Sequence, residues 1–117
     1  MIGRKYKNVK VSYNGIKFDS KKEAKRYMEL KLLADAKLIS NLQLQVRICL
    51  IPTFEYRGET VRSLSYVADF VYYKGTNVII EDVKSPMTRK LPTYINKVKL
   101  LKMKIVSEKL DWIFVEV

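Results

Sequence analysis

The alternation of apolar and polar positions divides the chain into strands and two amphipathic helices. In "VKVSYNGIKF", residues 9–18, the two kinds of side chain alternate on both sides of Asn14-Gly15. That dipeptide favours the left-handed backbone of a tight turn, so a β-hairpin is predicted. The period then lengthens. Tyr27, Leu30, Ala34 and Leu38 recur at spacings of three and four behind Ser20, a good N-cap, which predicts a helix from Ser20 to about Leu38. "VRICLIPTF" reads as a strand, "GET" as a turn and "RSLSYVADFVYY" as a long strand; "KGTN" is a turn and "VIIEDVK" another strand. After a Pro-flanked basic loop, Pro92 opens a second helix to about Lys109, with Tyr94, Val98, Leu101 and Ile105 on one face. "WIFVEV" closes as a strand. The predicted order is hairpin, helix, three strands, helix, strand.

Three charges interrupt this pattern. Asp69, Asp82 and Lys84 fall in apolar, β-branched runs, where an unpaired charge is expensive. If the turn closes on Gly75-Thr76, Lys74 faces Asn77, Asp69 faces Asp82 and Val67 faces Lys84. Alternation then puts Asp69, Asp82 and Lys84 on one face and Glu81 on the other. Two opposed carboxylates repel in an ordinary sheet, whereas a divalent cation between them would turn repulsion into chelation. Mg²⁺ takes a few hard oxygens and retains several waters, which suits two or three carboxylates plus a phosphate. Lys84 could orient or deprotonate an attacking water, or neutralise charge developing on the phosphate. The same residues would also fit a buried structural ion pair, and a bulge or an odd-numbered turn would bring Glu81 to the site instead of Asp82.

Glu23 is a candidate third carboxylate. It lies four residues before Tyr27 and seven before Leu30, at the end of the apolar stripe, and can point at the sheet. Ser20-Lys21-Lys22-Glu23 equally fits a capping box, in which Glu23 returns to the Ser20 backbone N–H.

Charge and composition change the picture in two ways. Lys and Arg number 23 against 12 acids, a net charge of +11. No acid precedes Asp19, and none lies between Asp82 and Glu108, a stretch holding Lys84, Arg89, Lys90, Lys97, Lys99, Lys102 and Lys104. One-signed stretches of this kind suit a polyanion such as nucleic acid and make Arg89, Lys90, Lys97, Lys99 and Lys104 candidate contacts; solvated helix-face lysines are the plain alternative. The absence of His removes histidine-based nucleases, Ser-His-Asp hydrolases and His-containing zinc sites, and one Cys cannot build a thiolate site. Catalysis would have to run on carboxylates, lysines, tyrosines or a metal held by oxygens. Cys49 is expected as a buried core thiol in a reducing cytosol. At 117 residues with 48% apolar, the chain is read as one domain, 1–117. No apolar run approaches a membrane span of roughly 18 residues, and the start "MIGRKYKNVK" lacks a signal-peptide core.

Helix with Glu, strand ending in Asp, turn, strand with acidic-x-Lys, then basic helix resembles the core of the PD-(D/E)XK nuclease superfamily. More closely, "GIKFDSKKEAKRY", "YVADFVYY" and "IIEDVKS" are similar to a small phage and prophage family, Holliday-junction resolvase-like or of unknown function. The likeness covers roughly residues 13–104. Ala68 stands where Pro is usual before the Asp, and Ser85 where Gly often follows the Lys. The resemblance implies an α/β, restriction-endonuclease-like core: a mixed central β-sheet flanked by two main helices, with an N-terminal β-hairpin. It implies Mg²⁺ or Mn²⁺ bound by Asp69, Asp82, the Val83 carbonyl and Glu23, with Lys84 assisting the water. Tyr94, Lys97 and Lys99 would lie beside the site, and Gln45 at the metal edge, where a capping amide is an equal reading. The function implied is a structure-specific DNA endonuclease acting on branched DNA such as Holliday junctions, in phage recombination or packaging. A homodimer in the bacterial host cytoplasm would then be expected. The rival readings are a non-catalytic nucleic-acid-binding protein that retains the fold, and a basic structural protein of a ribonucleoprotein. Neither gains from two carboxylates facing a polyanion.

Overall fold

The computed structural model describes residues 10–117, so Arg4, Lys5 and Lys7 of the first basic stretch lie outside the described residues. Strands β1 (Val11–Tyr13) and β2 (Ile16–Phe18) form the predicted hairpin. Asn14 (φ 57°) and Gly15 (φ 78°) are both left-handed, as the two-residue turn requires. The hairpin lies on helix α1 (Lys21–Asp35), where the Phe18 and Tyr27 rings sit 5.2 Å apart.

Helix α1 is shorter than predicted. Lys37 takes a left-handed φ of 62°, while the Leu38 and Lys37 N–H groups close back on the carbonyls of Leu33 and Ala34. This closure satisfies the orphan carbonyls and ends the helix three residues early, leaving Leu38 exposed. Helix α3 (Pro92–Ser107) ends in the same way at Lys109, φ 53°.

The central sheet has the order β3-β6-β7-β8. Strands β3 (Ser40–Ile51), β6 (Leu64–Lys74) and β7 (Asn77–Asp82) pair antiparallel, and β8 (Trp112–Glu116) joins β7 in parallel after the α3 crossover. The sheet is therefore mixed, with α1 on one face and α3 on the other, as expected. Strand β3 begins six residues before the predicted start at Val46. It ends before Pro52, which has no N–H to give a ladder. Where the pattern predicts the end of a strand and a "GET" turn, the chain forms a small hairpin, β4 (Phe54–Tyr56) and β5 (Glu59–Val61), turning at Arg57-Gly58. A one-turn helix, α2 (Pro86–Arg89), sits in the predicted basic loop, with the Ser85 hydroxyl accepting the Thr88 N–H. Cys49 is exposed, not buried: Ile48 takes the side of β3 that packs under α3, so Cys49 projects to the opposite side of the strand. No helix of the described residues is long and apolar enough to cross a membrane.

The β6–β7 turn closes as predicted, with Lys74 facing Asn77 and Phe70 facing Glu81. Strict alternation does not run the length of β6, however. Tyr66 and Ala68 pack on the α3 side, whereas Phe70 and Tyr72 pack on the α1 side. The change of side falls at Asp69. On β3 it falls at Gln45, left-handed at φ 53°, between Leu44 on the α1 side and Val46 on the α3 side.

Candidate functional site

The switch in the sheet is what turns Asp69 into a site residue. The β6–β7 ladder stops at Phe70 and Glu81, and the Asp69 carboxylate takes its place, with Oδ2 accepting the Val83 N–H at 2.9 Å. Oδ1 accepts from the Gln45 amide at 3.2 Å, and the same Nε2 donates to Glu23 Oε2 at 3.2 Å. Gln45 thus ties Glu23 to Asp69. The expectation that Asp69 shares a face with Asp82 by simple alternation needs this correction: Asp69 stands at the crossing point between the two faces.

Asp82 and Lys84 share the α3 side, with Lys84 Nζ 3.4 Å from Asp82 Oδ1. The other oxygen, Oδ2, accepts from the Tyr66 hydroxyl. Oδ1 is buried and receives no hydrogen bond, since the lysine is at ion-pair distance without hydrogen-bond geometry. Glu81 points the opposite way, as the even turn predicts. It is held by Arg26 (Nη2–Oε2 2.7 Å, Nε–Oε1 2.8 Å) and by the Tyr72 hydroxyl. A buried carboxylate with a guanidinium fork on it is already satisfied; Asp82 is not.

Glu23 caps the helix in a variant of the predicted box and also contacts the site through Gln45. Its backbone N–H donates to the Ser20 hydroxyl, and its Oε1 accepts the Asp19 N–H at 2.9 Å, one residue before the Ser20 N–H that a capping box would use. Its Oε2 is left for the site. Glu23, Asp69 and Asp82 are 4%, 9% and 1% exposed.

Three carboxylates this close and this buried cannot all be ionised cheaply. Burial first, then Asp69, pushes both Glu23 and Asp82 up to about 7. Burial also acts to raise Asp69, but its contacts with Asp82, Glu23 and the Val83 N–H, and the charge of Lys84, hold it below the ordinary value. Tyr66 is raised, by burial and by its bond to Asp82. Ionised charge is therefore favoured at Asp69, while Glu23 and Asp82 hold their protons to higher pH than ordinary carboxylates.

A polar cleft of about 150 Å³ opens over Glu23 and Asp69, lined also by Ser20, Val83, Lys84 and Thr88 among others, whereas Asp82 and Tyr66 line a neighbouring one. Lys22 Nζ donates to the Lys84 carbonyl at 3.2 Å. Among the described residues no group of three or more His, Cys, Asp or Glu is drawn together tightly enough to enclose a metal ion. By donor chemistry, the carboxylates of Asp69 and Glu23 and the unbonded Asp82 Oδ1, with Val83 lining the same cleft as Asp69, suit a hard cation that keeps most of its waters.

Of the residues predicted to touch nucleic acid, Lys97 and Tyr94 line a second cleft beside Lys84. Tyr94 packs its ring 5.8 Å from Lys84 Nζ and donates its hydroxyl to Glu116. Arg89 sits 3.4 Å from the same Glu116, and Lys104 Nζ is 2.9 Å from Glu108, so both are engaged within the chain. Lys90 and Lys99 are exposed. Tyr66, Lys22 and Thr88 were not anticipated. The signal for Tyr66 was its place in "YVADF", where alternation with Ala68 puts the hydroxyl on the Asp82 side.

No curated protein and no solved structure matches the chain. The family described as "Protein of unknown function (DUF1064)" matches residues 3–116, almost the whole length, and the chain belongs to that family.

Proposed function

We propose that this protein is a metal-dependent DNA endonuclease of the PD-(D/E)XK kind, acting on branched DNA as a homodimer in the cytoplasm of a phage-bearing bacterial host. The observation that carries the reading is the unequal treatment of two adjacent acids on β7. Glu81 is neutralised by Arg26, whereas Asp82 is buried with one oxygen unbonded, beside Lys84 and close to Asp69. A fold gains nothing from such an arrangement unless a cation or a phosphate enters it. Asp69, Asp82 and the Val83 carbonyl would hold Mg²⁺ or Mn²⁺, with Glu23 on its water shell. When bound, the ion supplies Lewis acidity at the phosphate and a more acidic water. Lys84 orients that water or neutralises the non-bridging phosphate oxygens as charge builds. Tyr66 fixes the Asp82 carboxylate and Gln45 fixes Asp69 against Glu23, so the acids are set before substrate arrives.

The net charge of +11 supports a polyanionic substrate over a small neutral one. The test is incubation with four-way junction, flap, duplex and single-stranded DNA in Mg²⁺, Mn²⁺ or EDTA. Cleavage of the branched substrates in either metal, and none in EDTA, is the expected outcome. Binding without cleavage of any substrate would leave a non-catalytic nucleic-acid-binding protein.

A further inference from the structure

A second cleft, of about 300 Å³, lies on the far side of Lys84 from the polar one. The two share Lys84 and Thr88, so they adjoin. Their walls differ in kind. The polar cleft is faced by carboxylates and hydroxyls, whereas the second is faced mainly by Val67, Leu91 and the rings of Tyr66 and Tyr94, with Asp82 as its one carboxylate. Val67 is 39% and Leu91 50% exposed, so these side chains wall a cavity open to solvent and leave apolar surface uncovered. Both tyrosine hydroxyls are already engaged, by Asp82 and Glu116, which leaves ring surface as what the tyrosines offer. Lys97 stands at the cleft, Lys84 lies between the two, and Thr93 adds a hydroxyl.

We infer that this cleft receives one unpaired nucleobase of the DNA strand whose phosphate lies at Asp69 and Asp82. The inference rests on the nuclease reading of the neighbouring site and names its substrate class: DNA with an unstacked nucleotide next to the phosphate that is cut. A flat apolar ligand attached to an anion is what an aromatic cleft with adjoining lysines accepts. The volume is at the lower end for small-ligand pockets and admits a single base, not a base pair. A paired base cannot enter without leaving its stack, so the cleft favours strands already unpaired at a branch, bulge or flap.

The measurement is the affinity of the parent protein, in EDTA, for three DNAs of one sequence. One is fully paired, one carries a single unpaired 2-aminopurine, and one carries an abasic site in its place. The unpaired base should strengthen binding by roughly a factor of ten, and the abasic site should remove the gain. The 2-aminopurine emission should be quenched on binding. Leu91→Trp, which fills the cleft from an exposed position, should abolish both gain and quenching; Thr93→Trp is the second filling variant. Equal affinities for the three DNAs, or a gain that survives both fillings, would overturn the inference. Cleavage in Mg²⁺ is scored separately on the same DNAs. Cleavage without a base-dependent gain sinks the cleft alone, and a gain without cleavage sinks the nuclease reading alone.

Discussion

Adjacent acids on one strand, Glu81 and Asp82, have opposite fates because each faces a different neighbour. Glu81 lies under Arg26 and Tyr72, Asp82 beside Tyr66 and Lys84. Glu81→Gln is therefore expected to cost stability, on the order of 1–3 kcal/mol, by leaving a half-buried guanidinium with a weaker partner, while the folded protein retains most of its cleavage activity. Asp82→Asn should do the reverse, with cleavage lost by about 10²-fold or more and DNA affinity unchanged or raised. Thermal melts and initial rates on both variants separate the two roles. A pH dependence follows from the same residues. Glu23 and Asp82 titrate near 7 in the folded protein, well above the ordinary carboxylate range. The folded state thus holds protons that the unfolded chain has released, and ∂ΔG/∂pH is negative between the two values. In EDTA the melting temperature should fall as pH rises from about 5 to about 8, and Mg²⁺ should restore it at the upper end. A melting temperature that rises across this window, or no Mg²⁺ effect, would contradict the picture of crowded carboxylates. The even turn on Gly75-Thr76 fixes which acid faces the site, and that could be read from residue spacing. The left-handed Gln45 could not, because no turn residue marks it and the face switch depends on two strands crossing.

At the scale of elements, period was a good guide and boundaries were not. The stripe Tyr27, Leu30, Ala34, Leu38 continues in the sequence past the point where the chain turns at Lys37, because closure onto Leu33 and Ala34 outweighs the weak benefit of burying Leu38. Lysine in a left-handed conformation costs about 1 kcal/mol, so Lys37→Gly is expected to raise stability modestly, by up to about that amount. Loss of stability in urea melts would mean that Lys37 makes a contact worth more than the strain. Strand β3 was half-hidden because Ser40, Asn41, Gln43 and Gln45 carry polar side chains and two of them are left-handed. Helix α3 divides its lysines. Lys97 faces the cleft, Lys104 is paired with Glu108, and Lys102 lies 5.9 Å over the Phe114 ring. Lys97→Ala should reduce the salt slope of log affinity for duplex DNA by roughly 0.9, whereas Lys102→Ala should leave it unchanged. Equal slopes for parent and both variants would place the binding surface elsewhere.

For the whole molecule, the architecture explains why a chain of this size can hold buried charge at all. Two apolar layers, one under α1 and one under α3, meet across a single sheet, and the acids sit where β6 passes between them. The ladder is interrupted at that crossing, so the Asp69 carboxylate replaces a backbone partner there; Asp69 and Glu23 line one cleft and Asp82 the adjoining one. That junction of layers is visible in the sequence only as three charges in apolar strands. The central claim is that this junction binds a divalent metal and cuts DNA. Its most direct test is single-turnover cleavage of a labelled four-way junction by the parent and by Asp69→Asn, each in Mg²⁺ and in EDTA. The account predicts product with the parent in Mg²⁺ alone, and none with Asp69→Asn although it still binds the junction. Equal cleavage by Asp69→Asn, or cleavage by the parent in EDTA, would contradict it.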